Sequence, residues 1–110
     1  GNGNQTRCFT YVEDVADGVL KVFENGARGE AYNIGNNQPT TILELAQIVK
    51  EMAKSKSEII KLGFGKETRL KEREIEYRVP DISKMKSLGW QPKIMIKEGV
   101  KRILESIKSN

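Results

Sequence analysis

Apolar positions along the chain fall into short runs whose spacing switches between about two residues and between three and four. Residues 7–12, Arg-Cys-Phe-Thr-Tyr-Val, are β-branched and aromatic with a loose alternation, which predicts a short strand. Val12, Val15, Ala16, Val19, Leu20 and Phe23 then recur at helical spacing. Glu13 and Asp14 suit the first turn of that helix, and Asn25-Gly26 supplies its stop. Residues 30–35, Glu-Ala-Tyr-Asn-Ile-Gly, read as a second strand that closes on the polar loop Gly-Asn-Asn-Gln-Pro.

Thr41 followed by Glu44 fits a capping box just ahead of Ile42, Leu45, Ala46, Val49, Met52 and Ala53, the best helix in the chain. Residues 57–64, Ser-Glu-Ile-Ile-Lys-Leu-Gly-Phe, predict a third strand. The charged stretch 65–79 has no assignable period and reads as an exposed loop or a ligand-facing segment. Pro80-Asp81 starts a short helix that Gly89 ends. Residues 90–94 form a connector whose Trp90 covers the edge of the core. A final amphipathic helix carries Ile96, Val100, Ile103, Leu104 and Ile107. Strands separated by helices predict an α/β or α+β layer domain. Three short strands make a poor sheet for so many helices, so at least one apolar helix face is expected to lack its natural cover.

Composition narrows the class. At 110 residues the chain holds one domain, and 37% apolar with 31% charged residues is ordinary for a soluble globular protein. Apolar runs are too short to span a bilayer, and no signal-peptide pattern appears. The single cysteine, Cys8, excludes an internal disulfide, fits a reducing cytosol and reads as a small hydrophobe. A cytoplasmic location is the expectation. The chain has no histidine, which removes the commonest near-neutral base and metal ligand, so no metal site is expected. The net charge of +4 is mild, and basic residues alternate with acids, as in residues 66–78. With few aromatics among them, neither nucleic acid nor a membrane is the expected partner.

The opening Gly-Asn-Gly-Asn-Gln-Thr-Arg is the first place to look for chemistry. Glycines let a backbone approach a ligand closely, and Arg7 would add a permanently charged fork suited to phosphate oxygens. Neither GxxxxGK[ST] nor GxGxxG after a strand is present. The segment therefore reads either as an exposed loop or as an anion site. Asn33 interrupts an apolar strand, where it either satisfies loop amides or faces a ligand. Arg69, Arg73 and Arg78 lie among glutamates, the usual setting of weak surface pairs.

Taken in order, G-N-G-N-Q-T-R-C-F-T-Y-V-E-D-V, G-E-A-Y-N-I-G-N, T-I-L-E-L-A, R-V-P-D-I-S-K-M-K-S-L-G-W-Q-P-K-I and E-G-V give the chain a family likeness. It resembles the C-terminal, substrate-binding part of the nucleotide-sugar epimerases, dehydratases and decarboxylases of the extended short-chain dehydrogenase/reductase superfamily. The resemblance implies a small lobe of short strands and about four helices, with the N-terminal Rossmann domain missing. In that family the Rossmann part binds NAD and carries a Tyr-x-x-x-Lys pair. Here Tyr11, Tyr32 and Tyr77 are followed four residues on by Val15, Asn36 and Asp81, so no catalytic residue and no cofactor site is expected in this chain.

By motif, the resemblance implies Gln5, Arg7, Asn33 and Arg78 as contacts of a UDP- or dTDP-sugar, with Arg7 and Arg78 on the diphosphate. Arg69 and Arg73 are secondary candidates. The implied chemistry of the intact enzyme is NAD-dependent oxidation of the sugar at C4 ahead of epimerisation, elimination or decarboxylation, and the chain alone is expected to be inactive. A free-standing interaction module, using the apolar surface that a Rossmann half would cover and compatible with a homodimer, is the alternative.

Overall fold

The computed structural model describes residues 1–63 and 75–109. Its elements are β1 (Thr6–Arg7), α1 (Val12–Asn25), β2 (Thr40–Thr41), α2 (Ile42–Met52), α3 (Ser83–Ser87) and α4 (Ile96–Ser109). The fold is α/β, with four helices and one very short two-stranded sheet among the described residues.

The helices follow their sequence signals. α2 opens on a complete capping box: Glu44 N–H donates to Thr41 Oγ1 at 3.1 Å, and Thr41 N–H donates to Glu44 Oε2 at 2.8 Å. Two otherwise orphaned amides are satisfied in this way. Thr41→Ala is expected to cost about 1 kcal/mol, read as a lower denaturant midpoint with an unchanged slope. α3 is shorter than the predicted helix and stops just before Gly89, whose φ of +85° favours glycine.

Three predicted strands do not form. The only strand within residues 6–12 is Thr6–Arg7, residues 30–35 are extended without a ladder, and residues 57–63 pair with nothing in a strand. The remaining predicted strand residue, Phe64, lies outside the described residues. Extended propensity needs a partner edge, and these segments find side-chain anchors instead. Thr10 Oγ1 accepts Asn36 N–H at 2.9 Å, and Tyr32 Oη accepts Ala27 N–H at 2.8 Å.

The core is small and sits beneath α1. Ile82, Met85 and Trp90 are its buried apolar residues, with Met85 at 0% exposure, and Val22, Tyr32, Ile34 and Leu88 pack around them. Trp90 is thus at the centre of the core rather than at its edge. Its indole Nε1–H donates to the Asp14 carbonyl at 3.2 Å, and the Asp14 carboxylate accepts Lys93 N–H at 3.1 Å and Ile94 N–H at 2.8 Å through one oxygen. The face α1 turns inward holds Asp14 and Gly18, both buried. Val12, Ala16, Val19, Leu20 and Phe23 face outward. The apolar spacing predicted the helix, and its apolar stripe is a face without cover of the kind expected from the sequence.

Candidate functional site

β1 is the hub of the site. It pairs antiparallel with β2 (Thr6↔Thr41, Arg7↔Thr40), and on its other edge Thr6 forms a parallel bridge to Tyr77. Thr6 N–H donates to the Glu76 carbonyl at 2.6 Å, and Arg78 N–H donates to the Thr6 carbonyl at 3.3 Å. Residues 76–78, β1 and β2 are therefore three neighbouring extended segments with Thr6 in the middle.

Side chains alternate across the faces of such a ribbon. The register places Thr6, Tyr77 and Thr41 on one face, and Arg7, Arg78 and Thr40 on the other. Neighbouring strands lie about 4.8 Å apart, so Arg7 and Arg78 come from adjacent rungs although 70 residues of sequence separate them. Gln5 shares that face by alternation, and its carbonyl accepts Ile42 N–H at 3.0 Å. Arg7 is half-buried, and one of its guanidinium nitrogens donates to the Thr6 carbonyl at 2.8 Å, which turns the end of the side chain back onto the strand. Arg78 is exposed.

Asn33 meets the chain just beyond Arg78. Its amide Nδ2 donates to the Asp81 carbonyl at 3.2 Å, three residues beyond Arg78. Nearby, Lys84 Nζ meets Glu30 Oε2 at 2.9 Å and the Ala31 carbonyl at 3.2 Å. The Lys84 ammonium holds the Glu30 carboxyl below its usual range through a hydrogen bond and then through its charge. Because that value is depressed, the pair's small contribution is present above the ordinary carboxylate range and fades as pH falls through it. These contacts lace residues 30–33 to residues 81–84.

Gln5, Arg7 and Arg78 thus lie on or next to the segments around Thr6, and Asn33 is tied to Asp81, three residues beyond Arg78. Arg69 and Arg73 lie outside the described residues. Beside Gln5 a hollow of about 190 Å³ is lined by Gly3, Ile42, Ile60 and Lys61. Lys61 and Thr40 were not nominated from the sequence, because Lys61 read as one residue of a strand and Thr40 carries no motif. The opening glycine has its explanation here. Gly3 has φ +81°, its carbonyl accepts Leu43 N–H at 2.9 Å, and a Cβ on it would stand 3.1 Å from the Cβ of Leu43. Its glycine serves close packing on the start of α2, which aligns Gln5 and β1 beside it.

Other hollows have different chemistry. A groove of about 400 Å³ between α2 and α4, floored by Leu45, Val49, Val100 and Leu104, is apolar and offers an anion nothing. The starts of α1 and α2 are both closed to a dinucleotide's phosphates. Glu13 and Asp14 make the first turn of α1 acidic, and the Glu44 side chain occupies the start of α2. Tyr32 has Lys84 over its ring at 5.9 Å, but its hydroxyl is engaged by Ala27 N–H and the lysine by Glu30, so the two do not form a base pair for proton abstraction.

Its relatives, rather than the arginine pair, set the class of this α/β lobe, the extended short-chain dehydrogenase/reductase type. Residues 1–103 match the family described as GDP-mannose 4,6 dehydratase, and the chain belongs to that family. It is 42% identical over 113 aligned residues to a putative UDP-glucose 4-epimerase of Methanocaldococcus jannaschii, a match covering 100% of this chain and 33% of that protein. It is 38% identical over 110 residues to UDP-glucuronic acid decarboxylase 1 of Arabidopsis thaliana, covering 99% of this chain and 24% of that one. Among solved structures, UDP-glucose 4-epimerase of Thermotoga maritima with UDP-glucose superposes with a TM-score of 0.86 at 30% identity, over 99% of this chain and 33% of that one. The chain therefore spans between a quarter and a third of these relatives, and it corresponds to their C-terminal part.

Proposed function

We propose that this chain is the lobe of a nucleotide-sugar epimerase, dehydratase or decarboxylase that holds the nucleotide diphosphate of a UDP- or dTDP-sugar. One observation carries the reading: the Thr6–Tyr77 bridge and the Arg78 N–H to Thr6 carbonyl bond put Arg7 and Arg78 on neighbouring rungs and one face. Two planar, permanently charged forks at that spacing match the two phosphates of a pyrophosphate. Gln5 lies beside them, and Asn33 is tied to the same backbone through Asp81.

In this reading the lobe binds and orients, and it moves no proton. Remote binding energy on the diphosphate is spent on aligning the sugar with reacting groups that this chain does not supply. The dinucleotide would be held by the remainder of such an enzyme, a Rossmann domain, and the 110 residues by themselves are expected to show no turnover.

The test is a calorimetric titration of UDP-glucose into a chimera in which residues 1–110 replace the matching third of the M. jannaschii protein. Arg7→Ala and Arg78→Ala should each weaken binding by about 1.5–3 kcal/mol, that is by about ten- to 150-fold. The isolated chain should bind far more weakly than the chimera. Unchanged affinity in both arginine variants removes the diphosphate role.

A further inference from the structure

Arg7 stands on the last rung of a very short ladder. β1 and β2 pair only through Thr6↔Thr41 and Arg7↔Thr40. Two-stranded pairs of this size are marginal by themselves, and their end rungs fray. A diphosphate contact needs the opposite, an arginine whose backbone keeps its place. Thr6 is bonded to residues 76 and 78 on its other edge, whereas Arg7 gains no strand neighbour there. Because the strands are antiparallel, residues 8–10 leave β1 at the same end at which residues 36–39 approach β2.

Across that end Asn36 N–H donates to Thr10 Oγ1 at 2.9 Å. The bond closes residues 7–10 and 36–40 into a small ring whose other side is the Arg7–Thr40 rung. Asn36 is 3% exposed, and both ends of its side-chain amide are engaged. Oδ1 accepts Gln38 N–H at 2.8 Å, which shapes the turn toward Thr40. Nδ2 donates to Met95 Sδ at 3.8 Å, a weak bond that ties the ring to the residue before α4. Gly35 lets this corner close, since a Cβ there would stand 3.3 Å from Thr10 Oγ1 and 3.8 Å from Pro80 Cγ.

We infer that Asn36 and Thr10 brace the Arg7 rung and are positioning residues of the diphosphate site, touching no ligand themselves. The inference rests on the functional reading above. Without the brace the rung is formed only part of the time, and apparent affinity falls by that fraction. Thr10→Val keeps the shape and removes the acceptor, Thr10→Ser returns the hydroxyl, and Asn36→Ala removes the side-chain ties. Amide exchange of the 110-residue chain, resolved by residue with NMR, should quicken about tenfold or more at Arg7 and Thr40 in Thr10→Val and Asn36→Ala, with α3 and Trp90 unchanged. In the chimera both should weaken UDP-glucose binding about fivefold or more well below the melting temperature, and Thr10→Ser should restore it. That loss should vanish when Arg7 is already alanine and persist when Arg78 is, whereas a general loosening of the fold would lower affinity in both backgrounds.

Unchanged exchange at Arg7 and Thr40 overturns the inference. So does a loss that adds in full to Arg7→Ala, a Thr10→Ser as poor as Thr10→Val, or a Thr10→Val chain that fails to fold. Should Asn36→Ala alone fail to fold, Thr10→Val decides. The two readings fail separately. If Arg7→Ala by itself leaves affinity unchanged, the diphosphate role falls and exchange at Arg7 and Thr40 decides the brace. Arginine-dependent binding with that exchange unchanged removes the brace and leaves the diphosphate role.

Discussion

Trp90→Ala is expected to cost about 3–5 kcal/mol and to leave much of the isolated chain unfolded at 25 °C. A domain of this length has about 5–15 kcal/mol to lose, and only three apolar residues are buried in the core among the described residues, so the lower end of that range applies. The indole fills the space above Gly18, where a Cβ would come within 3.2 Å of its ring and 2.6 Å of Ile34 Cγ2. Truncation opens a cavity that α1 cannot close, because the helix is tied at Asp14 to residues 93 and 94. Trp90→Phe is the control. It keeps most of the ring and loses the Nε1–H bond to the Asp14 carbonyl, so it should cost distinctly less than the alanine variant. Urea unfolding followed by circular dichroism separates the two, and equal costs would mean that the hydrogen bond rather than the packing holds the core.

That arrangement was only partly legible in the sequence. Helices were readable because their signals are local: the Thr41–Glu44 box, the Asn25-Gly26 stop and the 3.6-residue period all lie within a few residues of what they specify. The inward face of α1 was not readable, because it is built from Gly18 and Asp14, the two residue types that an apolar period ignores. They are inward because Trp90, 76 residues from Asp14, needs the room and the acceptor. The strands failed for a related reason. Cys8–Tyr11 and residues 30–35 have the composition of strands, but a ladder needs an edge. β1 found its two edges at Thr40–Thr41 and Tyr77, the second inside a charged stretch with no period.

The site shows the same division. Arg7 and Arg78 came from motif order, as the family resemblance implied them. That they share a face depends on a parallel bridge that no local pattern encodes. Asn33 was expected within a strand, and in the structure it is a strap whose amide holds the backbone after Arg78.

Asp14→Ala is the second substitution with a large expected effect, about 3–4 kcal/mol. The carboxylate oxygen that accepts both Lys93 N–H and Ile94 N–H is buried, and hydrogen bonds to a charged group are each worth about 1.5–3 kcal/mol. Alanine leaves two amides without a partner where water has little access, so their desolvation adds to the lost attraction. Asp14→Asn separates geometry from charge, because its carbonyl oxygen can take the same two donors. It should recover roughly half of the loss, whereas a structural role for charge alone would leave Asn as poor as Ala. The consequence reaches the ligand face. Asp14 locks the start of α1 to the connector before α4, and four residues separate Arg7 from the start of α1. If the lock sets the angle of that entry, Asp14→Ala should weaken UDP-glucose binding by the chimera even well below its melting temperature, with Asp14→Asn restoring it. A variant that melts earlier but binds normally when folded would confine Asp14 to the core.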